Sequence, residues 1–182
     1  RGLGDVYKRQ VSSKYLFRRP WLTVRCEDML LPNGNHIPEY YILEYPDWVN
    51  TIAITKEGKF VFVRQYRPGI GRTCYELCAG VCEKEDVSPL VSAQRELWEE
   101  TGYGNGNWQE YMVVSANPST HTNLTHCFLA TDVELIDHQH LEATEDISVH
   151  LFTLEEVRTL LENNEIMQSL NAAPLWKYMA SL

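Results

Sequence analysis

The sequence lacks any long apolar run. No stretch of its 182 residues approaches the roughly 18–20 apolar residues that a helix needs to cross a bilayer. No secretory signal peptide is visible either. We therefore expect a cytoplasmic protein without a membrane partner.

Basic residues are also in short supply. Sixteen Lys and Arg face twenty-five Asp and Glu, which gives a net charge of −9. Binding to a nucleic-acid backbone requires a basic stripe, so we expect no nucleic-acid partner. An anionic small molecule that arrives with metal ions is compatible with this charge.

The cysteines fit neither a disulfide framework nor a zinc site. They are odd in number, five, and scattered. Cys78 and Cys82 lie four residues apart, but no second pair has zinc-ligand spacing. The pattern is typical of free thiols in a reducing cytoplasm.

The length predicts one domain with a small N-terminal addition. Residues 1–10 read R-G-L-G-D-V-Y-K-R-Q and resemble translated adapter sequence, so we expect a non-native leader there and a native start near Val11 or upstream of it. We assign residues 11–47 to an N-terminal β-hairpin extension and residues 48–182 to the main domain.

Most of the chain has strand patterning. Residues 21–31 and 37–45 flank the turn sequence P-N-G-N and predict a hairpin. Further strand patterns cover residues 48–55, 59–66, 72–77, 108–116, 125–133 and 147–152. A polar loop, residues 117–123, is either plain surface or a substrate-facing lid.

Helices follow the strands at the end of the chain. Thr153 and Glu156 form a capping-box pattern, and a last helix is predicted over residues 165–179, broken or kinked at Pro174. Strands interrupted by one central helix and followed by two more predict an α/β (α+β) sandwich with a mixed sheet.

The central helix lies within residues 80–103, G-V-C-E-K-E-D-V-S-P-L-V-S-A-Q-R-E-L-W-E-E-T-G-Y. Ser88 and Pro89 are a helix start, because serine caps free N–H groups and proline has none at the first helical position. Thr101 and Gly102 supply the stop.

Three carboxylates project from one face of this helix. Glu96, Glu99 and Glu100 stand at i, i+3 and i+4. Arg95 can offset part of their repulsion, but the charge density favours a hard divalent cation with oxygen ligands. The alternative is a solvated acidic face.

This string resembles the Nudix box, G-x5-E-x7-R-E-U-x-E-E-x-G-U. The matching residues are Gly80, Arg95, Glu96, Leu97, Glu99, Glu100, Gly102 and Tyr103. The spacing from Gly80 to Arg95 is one residue longer than the pattern, which puts Val87 at the position of the first Glu, with Glu85 and Asp86 nearby. The resemblance implies a Nudix-type α/β/α sandwich.

The N-terminal hairpin and the string Y-E-L-C-A-G resemble the ADP-ribose pyrophosphatase branch of that superfamily. The resemblance implies a homodimer in nucleotide metabolism. It also implies metal ligation by Glu96, Glu99, Glu100 and the carbonyl of Ala79, with Mg2+ as the cofactor and Mn2+ as the alternative.

The remaining site residues come from loops and strand ends. Relatives take their general base from an acidic loop, here L-E-A-T-E-D-I, in which Glu145 matches best; Glu142 and the helix residue Glu99 are alternatives. Arg67 is expected to bind a phosphate through its guanidinium fork. Glu76 is expected to contact a sugar or a metal-bound water.

The sequence thus predicts Mg2+-dependent hydrolysis of a nucleoside diphosphate linked to another moiety, with ADP-ribose giving AMP and ribose 5-phosphate as the favoured case. The alternatives are a nucleotide-sugar or nucleoside triphosphate pyrophosphohydrolase and a non-catalytic Nudix-like binding or regulatory domain. Retention of all three helix glutamates favours an enzyme.

Overall fold

The computed structural model describes residues 7–182, which form eleven strands and three helices. Contacts divide these residues into two units, residues 7–45 with 117–123 and residues 46–116 with 124–182. Of the predicted leader, residues 1–6 lie outside the described residues. Arg9 and Gln10 belong to the first strand.

The first unit is a three-stranded antiparallel sheet in the order β1-β2-β3, formed by β1 (Arg9–Arg19), β2 (Leu22–Leu30) and β3 (His36–Glu44). Strands β2 and β3 are the predicted hairpin. Their turn places Gly34 at φ 86°, a left-handed conformation that glycine tolerates, and the Gly34 N–H donates to the Leu31 carbonyl at 3.0 Å. Strand β1 pairs with β2 along its length.

The loop Asn117–Asn123 belongs to this first unit. The Leu43 N–H donates to the Thr120 carbonyl at 2.8 Å, and the Thr122 N–H donates to the Leu43 carbonyl at 3.1 Å. The Tyr40 hydroxyl adds a bond to the Ser119 carbonyl at 2.6 Å. The loop is therefore held against β3 through its own backbone.

The second unit is built on an eight-stranded mixed sheet. Its strands are β4 (Trp48–Thr55), β5 (Phe60–Arg67), β6 (Arg72–Glu76), β7 (Cys78–Val81), β8 (Tyr103–Gly104), β9 (Asn107–Val114), β10 (Thr125–Leu135) and β11 (Ser148–Phe152). The central order is β11-β5-β4-β10-β8, with β6 on β5, β7 on β4 and β9 on β10. Strands β4 and β10 are parallel and their other pairings antiparallel.

Helices cover both faces of this sheet. They are α1 (Pro89–Thr101), α2 (Leu154–Glu162) and α3 (Ser169–Met179). Ile52 packs with α2 and α3, whereas its neighbour Ala53 packs with Leu97 of α1, as alternation along a strand requires. The predicted α/β/α sandwich with a mixed sheet is confirmed. No helix within residues 7–182 is long and apolar enough to span a membrane.

The last helix differs from its prediction. It begins at Ser169, after an extended Gln168, and it continues through Pro174 without a break. Proline lacks the N–H that would bond the carbonyl four residues earlier, that of Leu170. The buried Asn50 side chain donates to that carbonyl instead, at 2.7 Å. A side chain from β4 thus satisfies the group that Pro174 leaves unpaired.

Candidate active site

Helix α1 has the ends that the sequence predicts. The Ser88 hydroxyl accepts from the Val91 N–H at 3.4 Å, and Pro89 occupies the first turn. Gly102 ends the helix at φ 74°, and a Cβ there would lie 2.2 Å from the Asp137 carbonyl oxygen. Both the dihedral and the contact require glycine.

The carboxylates of α1 lie against strand β7. Glu96 accepts from the Val81 N–H at 3.3 Å, and Glu100 accepts from the Ala79 N–H at 3.1 Å. Glu100 is buried, and the side chain of Glu99 is 35 % exposed. The structure therefore brings Glu96, Glu100 and Ala79 together and leaves Glu99 at the rim.

Gly80 lies directly beneath the Glu96 carboxylate. A Cβ on Gly80 would stand 2.0 Å from the carboxyl carbon of Glu96 and 2.1 and 2.5 Å from its two oxygens. Glycine is required at this position because the carboxylate occupies the space of a side chain.

Arg95 connects the acidic face to the loop that precedes α1. Its Nη1 donates to Glu96 at 2.9 Å and to Glu99 at 3.0 Å. Its Nη2 donates to the Val81 carbonyl and to Asp86, both at 3.0 Å. Asp86 is therefore the loop acid that holds Arg95, whereas Val87, at the position of the pattern's first Glu, is 89 % exposed. Because the loop before α1 is one residue longer than the Nudix pattern, the sequence alone does not identify Asp86 as the partner of Arg95.

Burial sets the electrostatics of the face. It raises the pKa of Glu100 to about 7 and also raises the pKa of Glu96. Arg95 bonds Glu96 and Glu99 but not Glu100. A buried carboxylate beside two others forms a set of oxygen ligands that fits a hard divalent cation.

Arg67 and Glu76, both predicted to contact substrate, bind each other. The Arg67 Nε donates to the two Glu76 carboxylate oxygens at 2.9 and 3.1 Å. Glu76 is 2 % exposed, whereas the Arg67 side chain is 41 % exposed. The pair raises the pKa of Arg67 and leaves its outer edge facing solvent.

A cavity of about 570 Å3 opens beside this pair. Its walls come from β4 to β7, from the start of β10 and from the start of α3. Its lining includes Trp48, Asn50, Ala79, Gly80, Thr125 and Asn171. The cavity thus adjoins the strand against which Glu96 and Glu100 lie.

Glu142 and Glu145, the predicted general-base candidates, bond to each other. The Glu142 N–H donates to the Glu145 carboxylate at 2.8 Å, and the Glu145 N–H donates to the Glu142 carbonyl at 3.0 Å. Both residues are exposed. Burial is the largest cause of the raised pKa of Glu100, and the negative charge of Glu145 adds a smaller contribution. The Glu145 carboxylate therefore lies within electrostatic reach of the acidic face.

The structure also contains a second group of potential metal ligands, which the sequence did not indicate. Oxygen and nitrogen atoms of Asp137, His138 and His140 lie within 4.8 Å of one another, and the His140 ring stacks on Trp98 at 4.1 Å. A hydrogen bond from His140 helps lower the pKa of Asp137 to about 2. Trp98 lies two residues from Glu96, so this group lies on another side of α1.

Family models match nearly the whole chain. Residues 9–43 match the nucleoside diphosphate sugar hydrolase N-terminal domain, and residues 45–172 match the NUDIX domain. A solved crystal structure, described as that of an ADP compounds hydrolase, superposes with a TM-score of 0.84 at 20 % identity, over 96 % of this chain and 94 % of its own. That likeness supports the fold.

Two relatives extend the comparison. The chain is 30 % identical to an ADP-ribose pyrophosphatase of Bacillus subtilis over 92 % of its own length and 90 % of that protein. It is 28 % identical, with the same coverage, to a methanol dehydrogenase activator of Bacillus methanolicus. The predicted resemblance to the ADP-ribose pyrophosphatase branch is confirmed by the first of these relatives. The NUDIX match, the glutamate-bearing helix and these similarities together show that the chain belongs to the Nudix hydrolase family.

Proposed function

We propose that this protein hydrolyses ADP-ribose to AMP and ribose 5-phosphate with Mg2+ as cofactor. The observation that carries the proposal is the acidic face of α1, where buried Glu100 bonds no cationic side chain within residues 7–182. The 30 % identity to an ADP-ribose pyrophosphatase supports the choice of substrate.

Nudix proteins generally use a divalent metal, and the residues present fit one. Glu96, Glu99, Glu100 and the carbonyl of Ala79 would hold it, with Mg2+ preferred by an all-oxygen site and Mn2+ as the alternative. When bound, such an ion neutralises phosphate charge and lowers the pKa of water.

The chain's own residues supply the rest. Arg95 holds Glu96 and Glu99 in position through its Nη1. Glu145 accepts a proton from the water that attacks phosphorus, with Glu142 and Glu99 as alternatives. The bond between phosphorus and the bridging oxygen then breaks, and the leaving phosphate carries away its electron pair.

Arg67 and Glu76 act as a pair in this proposal. The bonds to Glu76 use Nε and Nη2 of Arg67, which leaves Nη1 for a phosphate oxygen. Glu76 fixes the guanidinium through both of its carboxylate oxygens, and both residues line the cavity. The predicted sugar contact of Glu76 would be made there.

The N-terminal extension, residues 11–47, would pair with a second copy to make a homodimer, while residues 48–182 carry the catalysis in the cytoplasm. All eleven residues of β1 are exposed, among them Phe17 at 55 %. Strand β1 lies at the edge of its sheet, where backbone groups can pair with another chain.

Nucleoside diphosphate sugars are the second candidate substrates. The match of residues 9–43 to the N-terminal domain of nucleoside diphosphate sugar hydrolases favours them. Both substrate classes share a nucleoside diphosphate bound to a sugar, so the reaction is the same.

The test is a turnover panel with and without Mg2+: ADP-ribose, nucleotide sugars, dinucleotides and nucleoside triphosphates. We expect AMP and ribose 5-phosphate from ADP-ribose only when metal is present. Faster turnover of a nucleotide sugar would move the assignment to the second candidate. No turnover of any compound would contradict hydrolysis and favour a non-catalytic domain.

A further inference from the structure

The inner wall of the cavity carries three buried polar groups that the reaction does not use. Asn50, Thr125 and Asn171 line it and are 2 %, 2 % and 0 % exposed. Within the part of the chain that the structure describes, Asn50 Oδ1, Thr125 Oγ1 and Asn171 Oδ1 have no hydrogen-bond partner. A buried polar atom left unpaired is destabilising, so three around one cavity require an explanation.

The sheet register places two of these groups side by side. In the parallel pair of β4 and β10, Thr125 lies opposite Trp48 and Cys127 lies opposite Asn50. Residues two apart on a strand share a face, so Thr125 and Asn50 face the same side of the sheet. Asn50 bonds a carbonyl of α3, so this is the α3 side, where Asn171 lies.

Existing bonds fix which atoms of the two amides are available. Asn50 Nδ2 donates to the Leu170 carbonyl at 2.7 Å, and Asn171 Nδ2 donates to Gln168 Oε1 at 2.6 Å. Each amide therefore presents its oxygen as the unpaired group. Amide oxygens only accept, so the complementary ligand must donate.

The character of the wall narrows the ligand class. The three groups are neutral, and apolar side chains that include Ile70, Met167 and Leu170 also line the cavity, whereas its charged lining residues are Arg67 and Glu76. Neutral amide oxygens do not attract phosphate. They suit a neutral group that offers N–H or O–H donors and has an apolar body.

We propose that Asn50, Thr125 and Asn171 form a specificity subsite for the neutral, donor-bearing end of the substrate. Its donors are either sugar hydroxyls or the amino group of a base. The inference rests on the proposed function, because the diphosphate would lie at the α1 carboxylates. Ala79 and Gly80 line the cavity and also contact Glu100 and Glu96, so the two parts of the site are contiguous.

Two threonines give a matched test. Thr125 lines the cavity, whereas Thr51 does not, yet both are buried and both hydroxyls lack a partner among the described residues. Thr51 pairs with Cys78 of β7 and alternates with Asn50, so it faces the other side of the sheet. Thr125→Val and Thr51→Val remove the same hydroxyl from two similar environments.

We expect Thr125→Val to raise the KM for ADP-ribose about three- to tenfold, the worth of one hydrogen bond, with kcat nearly unchanged. Thr51→Val should leave both constants at wild-type values. Equal effects of the two variants, or none from Thr125→Val, would overturn the subsite.

The source of the donors is identified by substrate analogues. If a base amino group binds here, wild type prefers ADP-ribose to its hypoxanthine analogue and Thr125→Val reduces that preference. If sugar hydroxyls bind here, the reduced preference appears instead between ADP-ribose and an analogue whose terminal ribose lacks a hydroxyl. Unchanged preferences in both comparisons would contradict the proposal.

Calorimetric binding of ADP-ribose without metal separates this inference from the proposed reaction. Weaker binding by Thr125→Val than by Thr51→Val supports the subsite even if no turnover occurs. Turnover and binding that are equal in the two variants reject the subsite and leave the proposed reaction standing. No binding to the wild-type protein rejects the subsite outright.

Discussion

Replacing Gly80 with alanine tests whether the position of the Glu96 carboxylate controls activity. The new Cβ would lie 2.0 Å from the carboxyl carbon, whereas ordinary contact begins at 3.4 Å. The carboxylate must therefore retreat by about 1.4 Å. The backbone itself should accept alanine, because Gly80 is not among the residues with positive φ.

The cost follows from that displacement. Moving a functional group by about 1 Å can reduce activity by about 10²-fold. We therefore expect kcat/KM to fall about 10²-fold in Gly80→Ala, equivalent to about 2.7 kcal/mol of transition-state stabilisation. The metal concentration for half-maximal activity should rise, because the displaced carboxylate is a proposed ligand.

A double-mutant cycle with Glu96→Ala makes the experiment decisive. Once the Glu96 carboxylate is absent, Gly80→Ala has nothing to displace, so adding it should change kcat/KM by less than about twofold. Circular dichroism and thermal unfolding monitor the fold of each variant. Additive losses in the double variant would refute the reasoning, because alanine would then act by a route other than Glu96.

Three further predictions address the helix and the base. Glu100→Gln should keep the fold and lose most turnover, since it removes ligand charge at the centre of the acidic face; wild-type kcat in that variant would exclude Glu100 as a ligand. Glu145→Gln should lower kcat about 10²-fold or more with unchanged metal affinity, and a normal rate would transfer the role of base to Glu142, tested by the matching Gln variant. Ser88→Ala should lower the free energy of unfolding by about 1 kcal/mol through loss of the bond from the Val91 N–H, and an unchanged urea midpoint would show that the cap contributes nothing.

Local chemistry made helix α1 predictable. Ser88, Pro89 and Gly102 fix its ends through groups within a few residues, so the sequence contains the whole signal. The capping box of Thr153 and Glu156 is likewise confirmed. Spacing alone put Glu96 and Glu100 on one face.

Contacts between segments that are distant in the sequence could not be predicted from local patterns. The pairing of Arg67 with Glu76 could not be predicted, because it depends on the register of β5 and β6. The role of Asp86 depends on how the longer loop folds back to Arg95. The predicted start of α3, residue 165, is four residues too early, because residues 165–168 lie outside the helix and Gln168 has an extended backbone.

The bond from Asn50 to the Leu170 carbonyl spans 120 residues and has a consequence for synthesis on the ribosome. Strand β4 lies at the centre of the sheet, yet its buried amide finds this partner only after the last helix has emerged. Domains fold as units during translation, so the nascent chain should hold a sheet with an unpaired polar group until α3 is available. Completion of the cavity then waits for α3, and a ribosome stalled before α3 should present a protease-sensitive chain.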